Sequence, residues 1–165
     1  MQEIIAHTPL WVFALFFVLV ALGMQQTRSR TVTLQRLTLL PLAILALSFY
    51  SVWTTFHGNA LAAACWLGAV LVTVVASLGF NLARGASYSA ATRSFVIPGS
   101  RLPLALMTGI FFTKYGVGIM LARHGELATV EAFAAAVSLV YGFWSGMFFS
   151  RTAQIVAAHG RAVFA

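Results

Sequence analysis

The sequence predicts an all-α polytopic membrane protein with five transmembrane helices, and three observations lead to this fold class. Of 165 residues, 61% are hydrophobic and 8% charged, with a mean hydropathy of +0.92; in a soluble domain about a quarter of the residues are charged. Five apolar stretches recur along the chain, and the segments between them contain most of the arginines. We therefore expect the lipid bilayer as a partner and, despite a net charge of +7, no nucleic acid.

The five predicted helices form a single transmembrane domain over residues 1–165. They cover about 9–24, 36–56, 60–80, 103–123 and 130–150. Pro9 suits the first turn of a helix, where its missing N–H would be unpaired in any case. Residues 57–59 predict a tight turn, because Gly and Asn tolerate a positive φ. Residues 81–101 are predicted to be a long cytoplasmic loop, and residues 151–165 a modestly polar cytoplasmic tail that could form a surface helix.

The arginines predict the orientation of the helices. Eight fall on one side of the predicted membrane, and only Arg123 falls on the other. The eight are Arg28, Arg30, Arg36, Arg84, Arg93, Arg101, Arg151 and Arg161. Because basic residues in short loops mark the cytoplasmic side, we expect the N-terminus outside and the C-terminus inside. The three carboxylates, Glu3, Glu126 and Glu131, then lie at the outer face.

The second and third helices resemble the fourth and fifth. Three short patterns recur in the same order, with Arg36-Leu37, Tyr50-x-Val52 and His57-Gly58 matched by Arg101-Leu102, Tyr115-x-Val117 and His124-Gly125. This predicts one helix followed by two similar hairpins, related as a parallel repeat. In that alignment Phe49 takes the place of Lys114. Apolar helices also match one another by chance, which is the alternative explanation.

Small residues recur at every fourth position of the fifth helix, at Ala134, Ser138, Gly142 and Gly146. Close backbone approach over small residues is a usual way for helices to associate in lipid. The third helix has a similar series, Ala60, Ala64, Gly68, Val72 and Ala76. We therefore expect the two helices to pack within the chain. The alternative is packing in a homo-oligomer or a larger membrane complex.

The main candidate site is Lys114, which lies near the middle of the fourth predicted helix. A lysine at this depth costs about 2.5 to 3.5 kcal/mol on insertion scales and is a functional-site hypothesis by default. No carboxylate is expected at its depth, so the partner could come from outside as an anionic ligand, a permeating anion or an acid of another subunit. Tyr115, Tyr50 and Tyr141 are predicted to line such a site. The structural alternative is a neutral or hydroxyl-bonded lysine that only packs.

Three histidines, His7, His57 and His124, are predicted at the outer ends of helices. Imidazoles that converge there could bind zinc, copper or haem. Turn formation and interfacial packing explain the same residues, so a metal or haem cofactor is not favoured. Cys65 is the single cysteine, which excludes an intramolecular disulfide.

The function predicted from these features is transport or binding of a small solute or anion around Lys114. No phosphate-binding glycine loop, nucleophile elbow or zinc-protease motif occurs, and three carboxylates leave little for acid and base catalysis. An enzyme is therefore not favoured. The alternatives are a haem- or metal-binding redox subunit that uses the outer histidines and a non-catalytic accessory subunit of a membrane complex.

The sequence resembles a known family in three segments. They are HTPLWVFALF at the start, the arginine-rich turn after the first helix, and IPGSRLPLALMTGIFFTKYGVGIML through the fourth helix. It is a family of small bacterial inner-membrane proteins of unknown function, and the resemblance covers most of the chain. It implies a multi-pass protein of the bacterial inner membrane. It implies no activity and no site residue.

Overall fold

A computed structural model describes residues 10–80, 87–89 and 94–163. Within these residues the chain forms five helices: α1 (Leu10–Gln25), α2 (Leu34–Thr55), α3 (Ala60–Ser77), α4 (Leu102–Arg123) and α5 (Glu131–Val163). Three short strands accompany them: β1 (Arg30–Thr33), β2 (Ser87–Ser89) and β3 (Ser94–Ile97). A 3₁₀ helix, Gly125–Thr129, connects α4 to α5.

Four of these helices are long and apolar enough to cross a membrane. They are α2, α3, α4 and α5, whose candidate spans are Leu37–Thr55, Ala60–Ser77, Leu102–Arg123 and Glu131–Ala157. The α1 helix is also apolar but shorter, with 16 residues. The four long helices indicate a multi-pass membrane protein.

A small antiparallel sheet replaces part of the predicted long loop, so the described chain is not entirely helical. Its strand order is β1-β3-β2, and Val32 and Tyr88 both pair with Phe95. Phe95 is only 1% exposed. β-Branched and aromatic residues favour strands, but β1 and β3 are more than 60 residues apart, and local patterns do not reveal such long-range pairing. We call the end of the bundle with these strands the sheet end.

The predicted end of the fifth helix near residue 150 is wrong, because α5 continues to Val163. The segment after Ser150 contains no proline and is rich in alanine, a strong helix former. Ile155 is buried in a cluster with Leu37 and Phe95 at the sheet end. Increased polarity therefore ends the apolar span near residue 157 but does not end the helix.

The α3 and α5 helices make the most extensive contact in the bundle. Gly142 of α5 lies directly against the carbonyl oxygen of Trp66, and a Cβ on Gly146 would lie 2.8 Å from Cβ of Thr73. Ala134 and Ser138 of the same small-residue series are buried, with exposed fractions of 1% and 0%. The glycines thus allow the backbone of α5 to approach α3 within the chain.

The face of α3 in this contact differs from the predicted one. Its buried residues are Ala62, Trp66, Val70, Thr73 and Ser77. The predicted series is mostly exposed, and a Cβ built on Gly68 has no neighbour within 4 Å. The reason is close backbone approach, since Gly142 and Gly146 lie against the carbonyl oxygens of Trp66 and Val70 on α3. The indole of Trp66 instead contacts Ser48 and Phe49 of α2.

The remaining helices are arranged around α5. The α2 helix packs on α5 and is joined to α3 by a hydrogen bond of 3.1 Å from Trp66 Nε1 to Ser48 Oγ. The α4 helix packs on both α5 and α1. The ring of Phe16 on α1 lies 4.9 Å from that of Phe111 on α4. α5 is therefore in contact with three of the other four helices.

Substitution of Gly142 by alanine should destabilise the protein, because the new methyl group would overlap the α3 backbone at Trp66 and approach Ala69 Cβ to 2.7 Å. Overpacking of this kind costs about 1 to 3 kcal/mol. We expect Gly142→Ala to lower the melting temperature in detergent. Gly68→Ala is the matched control and should be neutral or stabilising, since alanine favours helix and its Cβ meets open space. Equal melting temperatures for the two variants would contradict this packing.

Candidate functional site

Lys114 occupies the central part of α4. About 18 Å of helix separates it from Leu102 and about 14 Å from Arg123, at a rise of 1.5 Å per residue. It is also the single lysine of the chain. Its amine thus belongs to the middle of a helix that is long and apolar enough to span a membrane.

Two side chains from other helices contact the Lys114 amine. Nζ donates a hydrogen bond of 3.0 Å to Ser51 Oγ on α2. Nζ also lies 4.5 Å from the centroid of the Tyr141 ring on α5, a distance at which a cation is attracted by the negative face of the ring. Three helices therefore meet at one nitrogen, although α2 and α4 make little other contact.

No carboxylate balances Lys114 in the part of the chain that the structure describes. There the one ion pair joins His124 to Glu126 at 3.3 Å, beyond the end of α4. Glu131 begins α5, and Glu3 lies outside the described residues. The Lys114 residue as a whole is exposed at the bundle surface.

A tryptophan fixes the position of α4 beside this site. Trp144 of α5 donates a hydrogen bond of 3.2 Å from Nε1 to Thr113 Oγ1. Its six-membered ring covers Gly109, where a Cβ would lie 2.5 Å from the nearest ring carbon. Thr113 directly precedes Lys114 in the chain. The contact with Trp144 therefore determines the orientation, relative to α5, of the helical turn of α4 that contains Lys114.

Only one of the three tyrosines predicted around Lys114 is in described contact with its amine, namely Tyr141. Tyr115 stacks on Phe111 at 6.0 Å, on the side of α4 that faces α1. Tyr50 is 65% exposed on α2. Whether these two line a larger ligand stays a prediction. Sequence reasoning missed Ser51, and the available signal was a hydroxyl in an apolar helix, within the Tyr50-x-Val52 pattern.

The three predicted metal-ligating histidines lie in different settings. His57 is exposed in the α2–α3 turn with φ at +52°, and His124 pairs with Glu126. His7 lies outside the described residues. Among the residues that are described, no group of three or more His, Cys, Asp and Glu side chains could hold a metal ion. A site that includes His7 stays a prediction.

The family model of a family of unknown function, DUF6622, matches residues 1–163. The chain belongs to this family. No curated protein and no solved structure matches the chain. The family assignment therefore agrees with the resemblance to a family of unknown function seen in the sequence.

A double-mutant cycle should detect the hydrogen bond between Lys114 and Ser51. Hydrogen bonds between membrane helices contribute about 0.6 kcal/mol on average and up to about 1.7 kcal/mol. We expect Ser51→Ala to lower the free energy of unfolding by an amount in this range in the natural protein. In the Lys114→Met background it should have no such effect.

The control for the cycle is Thr54→Val, since the Thr54 hydroxyl bonds only to carbonyls of its own helix. Its effect should be the same in both backgrounds, measured by detergent-driven unfolding. An equal effect of Ser51→Ala in both backgrounds would show that the contact does not contribute to stability.

Proposed function

We propose that this protein binds a small anion at Lys114 and acts as a transport or ligand-binding protein of the membrane. The observation that carries the proposal is a lysine amine in the middle of a candidate spanning helix, with a hydroxyl and an aromatic ring as its described partners. A protonated Lys114 would present a positive charge in a medium where unpaired charge is costly. An anion is the partner that offsets this cost.

The surroundings of the amine favour an exchangeable ligand over a permanent partner. The Ser51 hydroxyl accepts from Nζ and retains its own O–H as a donor. The Tyr141 ring has no formal charge at neutral pH. A bound anion would therefore meet two donors, the amine and the serine hydroxyl, without competition from a carboxylate in the described part of the chain.

The proposal includes five spans, with the N-terminus outside and the C-terminus inside, in the inner membrane of a bacterium. The α1 helix packs along α4, and Gly23 allows close contact with Leu104. Arg28, Arg101 and Arg151 all lie at the sheet end, since Ser100 N donates to Gln26 O and Ile155 packs beneath β3. The positive-inside rule places that end in the cytoplasm.

We also propose that the two hairpins, α2–α3 and α4–α5, are a parallel repeat that has acquired Lys114 in its second copy. Phe49, which aligns with Lys114, lies 6.0 Å from the ring of Trp53 and 5.3 Å from that of Trp66. Aromatic packing thus takes the place of the lysine in the first hairpin. The asymmetry favours a function for Lys114 beyond packing.

Binding of small anions tests the proposal directly. We expect the purified chain in lipid nanodiscs to bind at least one of chloride, acetate, succinate and inorganic phosphate, and Lys114→Met to weaken that binding about tenfold to a hundredfold. This range corresponds to the loss of a hydrogen bond to a charged group. Lys114→Arg should retain binding better than Lys114→Met because it keeps the charge.

The matched control is Arg123→Gln, which removes one positive charge from the same helix, at its exposed end. It should leave anion binding unchanged. Flux of the bound anion in proteoliposomes then separates transport from binding alone. Undiminished binding in Lys114→Met, with normal protein levels, would contradict the proposal.

Cysteine labelling tests the number of spans and the orientation. In a Cys65→Ser background, a maleimide that cannot cross membranes should label Gln2→Cys and Gly125→Cys in intact bacterial cells. Ser29→Cys should react only after lysis. A Cβ on Gly125 meets no neighbour within 4 Å, so the substitution there is tolerated. Labelling of Gln2→Cys on the same side as Ser29→Cys would show that α1 does not span.

A further inference from the structure

The sheet end contains a cavity that is separate from the Lys114 site. Its volume is about 430 Å³, within the range of ligand pockets. Its walls come from the turn after α1, from β1 and β3, and from the facing parts of α2 and α5. Arg151 in its wall is about 15 Å of helix beyond Tyr141 on α5, so one small ligand does not reach both places.

Polar groups line one part of this cavity. They are Gln26, Thr31, Thr33, Arg151 and Thr152. Amide, hydroxyl and guanidinium groups all donate hydrogen bonds, and the lining includes no Asp or Glu among the residues that the structure describes. A guanidinium with neighbouring hydroxyls suits an oxyanion, and above all a phosphate, which it binds through two parallel N–H groups. The cavity therefore has the donors and the charge for an anionic oxygen-rich group.

Apolar side chains make up the rest of the described lining, namely Val32, Leu37, Leu40, Pro41, Ile97, Phe148 and Ile155. Leu40 and Pro41 are in the second turn of α2, and Phe148 precedes Arg151 by about one turn of α5. Leu40 is 46% exposed, so this wall continues onto the apolar surface of a candidate span, Leu37–Thr55. The lining thus combines hydrogen-bond donors with hydrocarbon, and the hydrocarbon part continues onto a candidate span.

From this combination we infer that the cavity binds a phosphate-bearing amphiphile, an anionic phospholipid of the surrounding membrane. Its headgroup phosphate contacts Arg151 and the threonine hydroxyls, and an acyl chain lies along Leu40 and Phe148. The sheet end also contains Arg28 and Arg101, both exposed, which add positive charge near the headgroup region. The occupant is a lipid and not free phosphate alone, because a small ion would leave the apolar wall unfilled.

Native mass spectrometry of the full chain tests this assignment. The protein is purified from nanodiscs that contain phosphatidylcholine alone or a mixture with phosphatidylglycerol. We expect the natural protein to retain phosphatidylglycerol in preference to phosphatidylcholine. Arg151→Gln should lower that preference about tenfold, the effect of about 1.4 kcal/mol from a lost charge-assisted hydrogen bond. Arg123→Gln, at the far end of α4, is the charge-matched control and should retain the preference.

A second variant keeps the test valid if Arg151→Gln does not fold. Thr33 lines the cavity, is exposed, and makes no side-chain capping bond to α2. Thr33→Trp should therefore block the cavity and reduce lipid retention while all positive charges remain. Both variants should leave anion binding at Lys114 unchanged, which keeps this test independent of that proposal.

Titration with inorganic phosphate distinguishes a lipid headgroup from a free phosphate ion as the ligand of the cavity. Partial displacement of retained phosphatidylglycerol by phosphate would support recognition through the headgroup. Phosphate binding without any retained lipid would overturn the lipid assignment in favour of a free anion. Equal retention of the two lipids by the natural protein, or unchanged preference in both Arg151→Gln and Thr33→Trp, would also overturn it.

Discussion

The close approach of α3 and α5 is the contact on which the rest of the bundle depends. Helices in lipid gain no hydrophobic energy by associating, so the fit of their surfaces determines the packing. Gly142 and Gly146 allow α5 to lie against the backbone of α3, where the Trp66 carbonyl group and the Thr73 side chain occupy the space. Through this contact α5 becomes the common support of α2, α3 and α4.

The site at Lys114 follows from that arrangement. The α5 helix presents Trp144 and Tyr141 one turn apart, and Trp144 holds α4 through Thr113 while Tyr141 meets the lysine amine. The α2 helix, placed by its own contacts with α3 and α5, brings Ser51 to the other side of the amine. The amine is thus oriented by two rigid helices, although α4 itself touches α2 little. Preorganised donors of this kind suit recognition of a small anion.

The apolar helices and the central position of Lys114 in one of them could be predicted from the sequence, because hydropathy and an isolated charge are local properties. The side chains that contact one another between helices could not be predicted from the sequence. Ser51 was missed because the rotation of α2 and α4 against α5 determines which residue of α2 faces Lys114. The predicted interacting face of α3 was wrong for a related reason, since the glycines of α5 lie against the α3 backbone at Trp66 and Val70 and not against the small series around Gly68. The sheet was missed because Phe95 pairs with a strand more than 60 residues away.

Nuclear magnetic resonance of the lysine amine itself is the most direct test of an anion site at Lys114. Lys114 is the single lysine, so a protein labelled with ¹⁵N at lysine Nζ gives one side-chain signal from the site in nanodiscs. We expect this signal to shift in a saturable way when the anion bound by the protein is added, and Ser51→Ala to change its starting position. A signal that stays at the same position through titration with chloride, acetate, succinate and phosphate would contradict an anion site at Lys114.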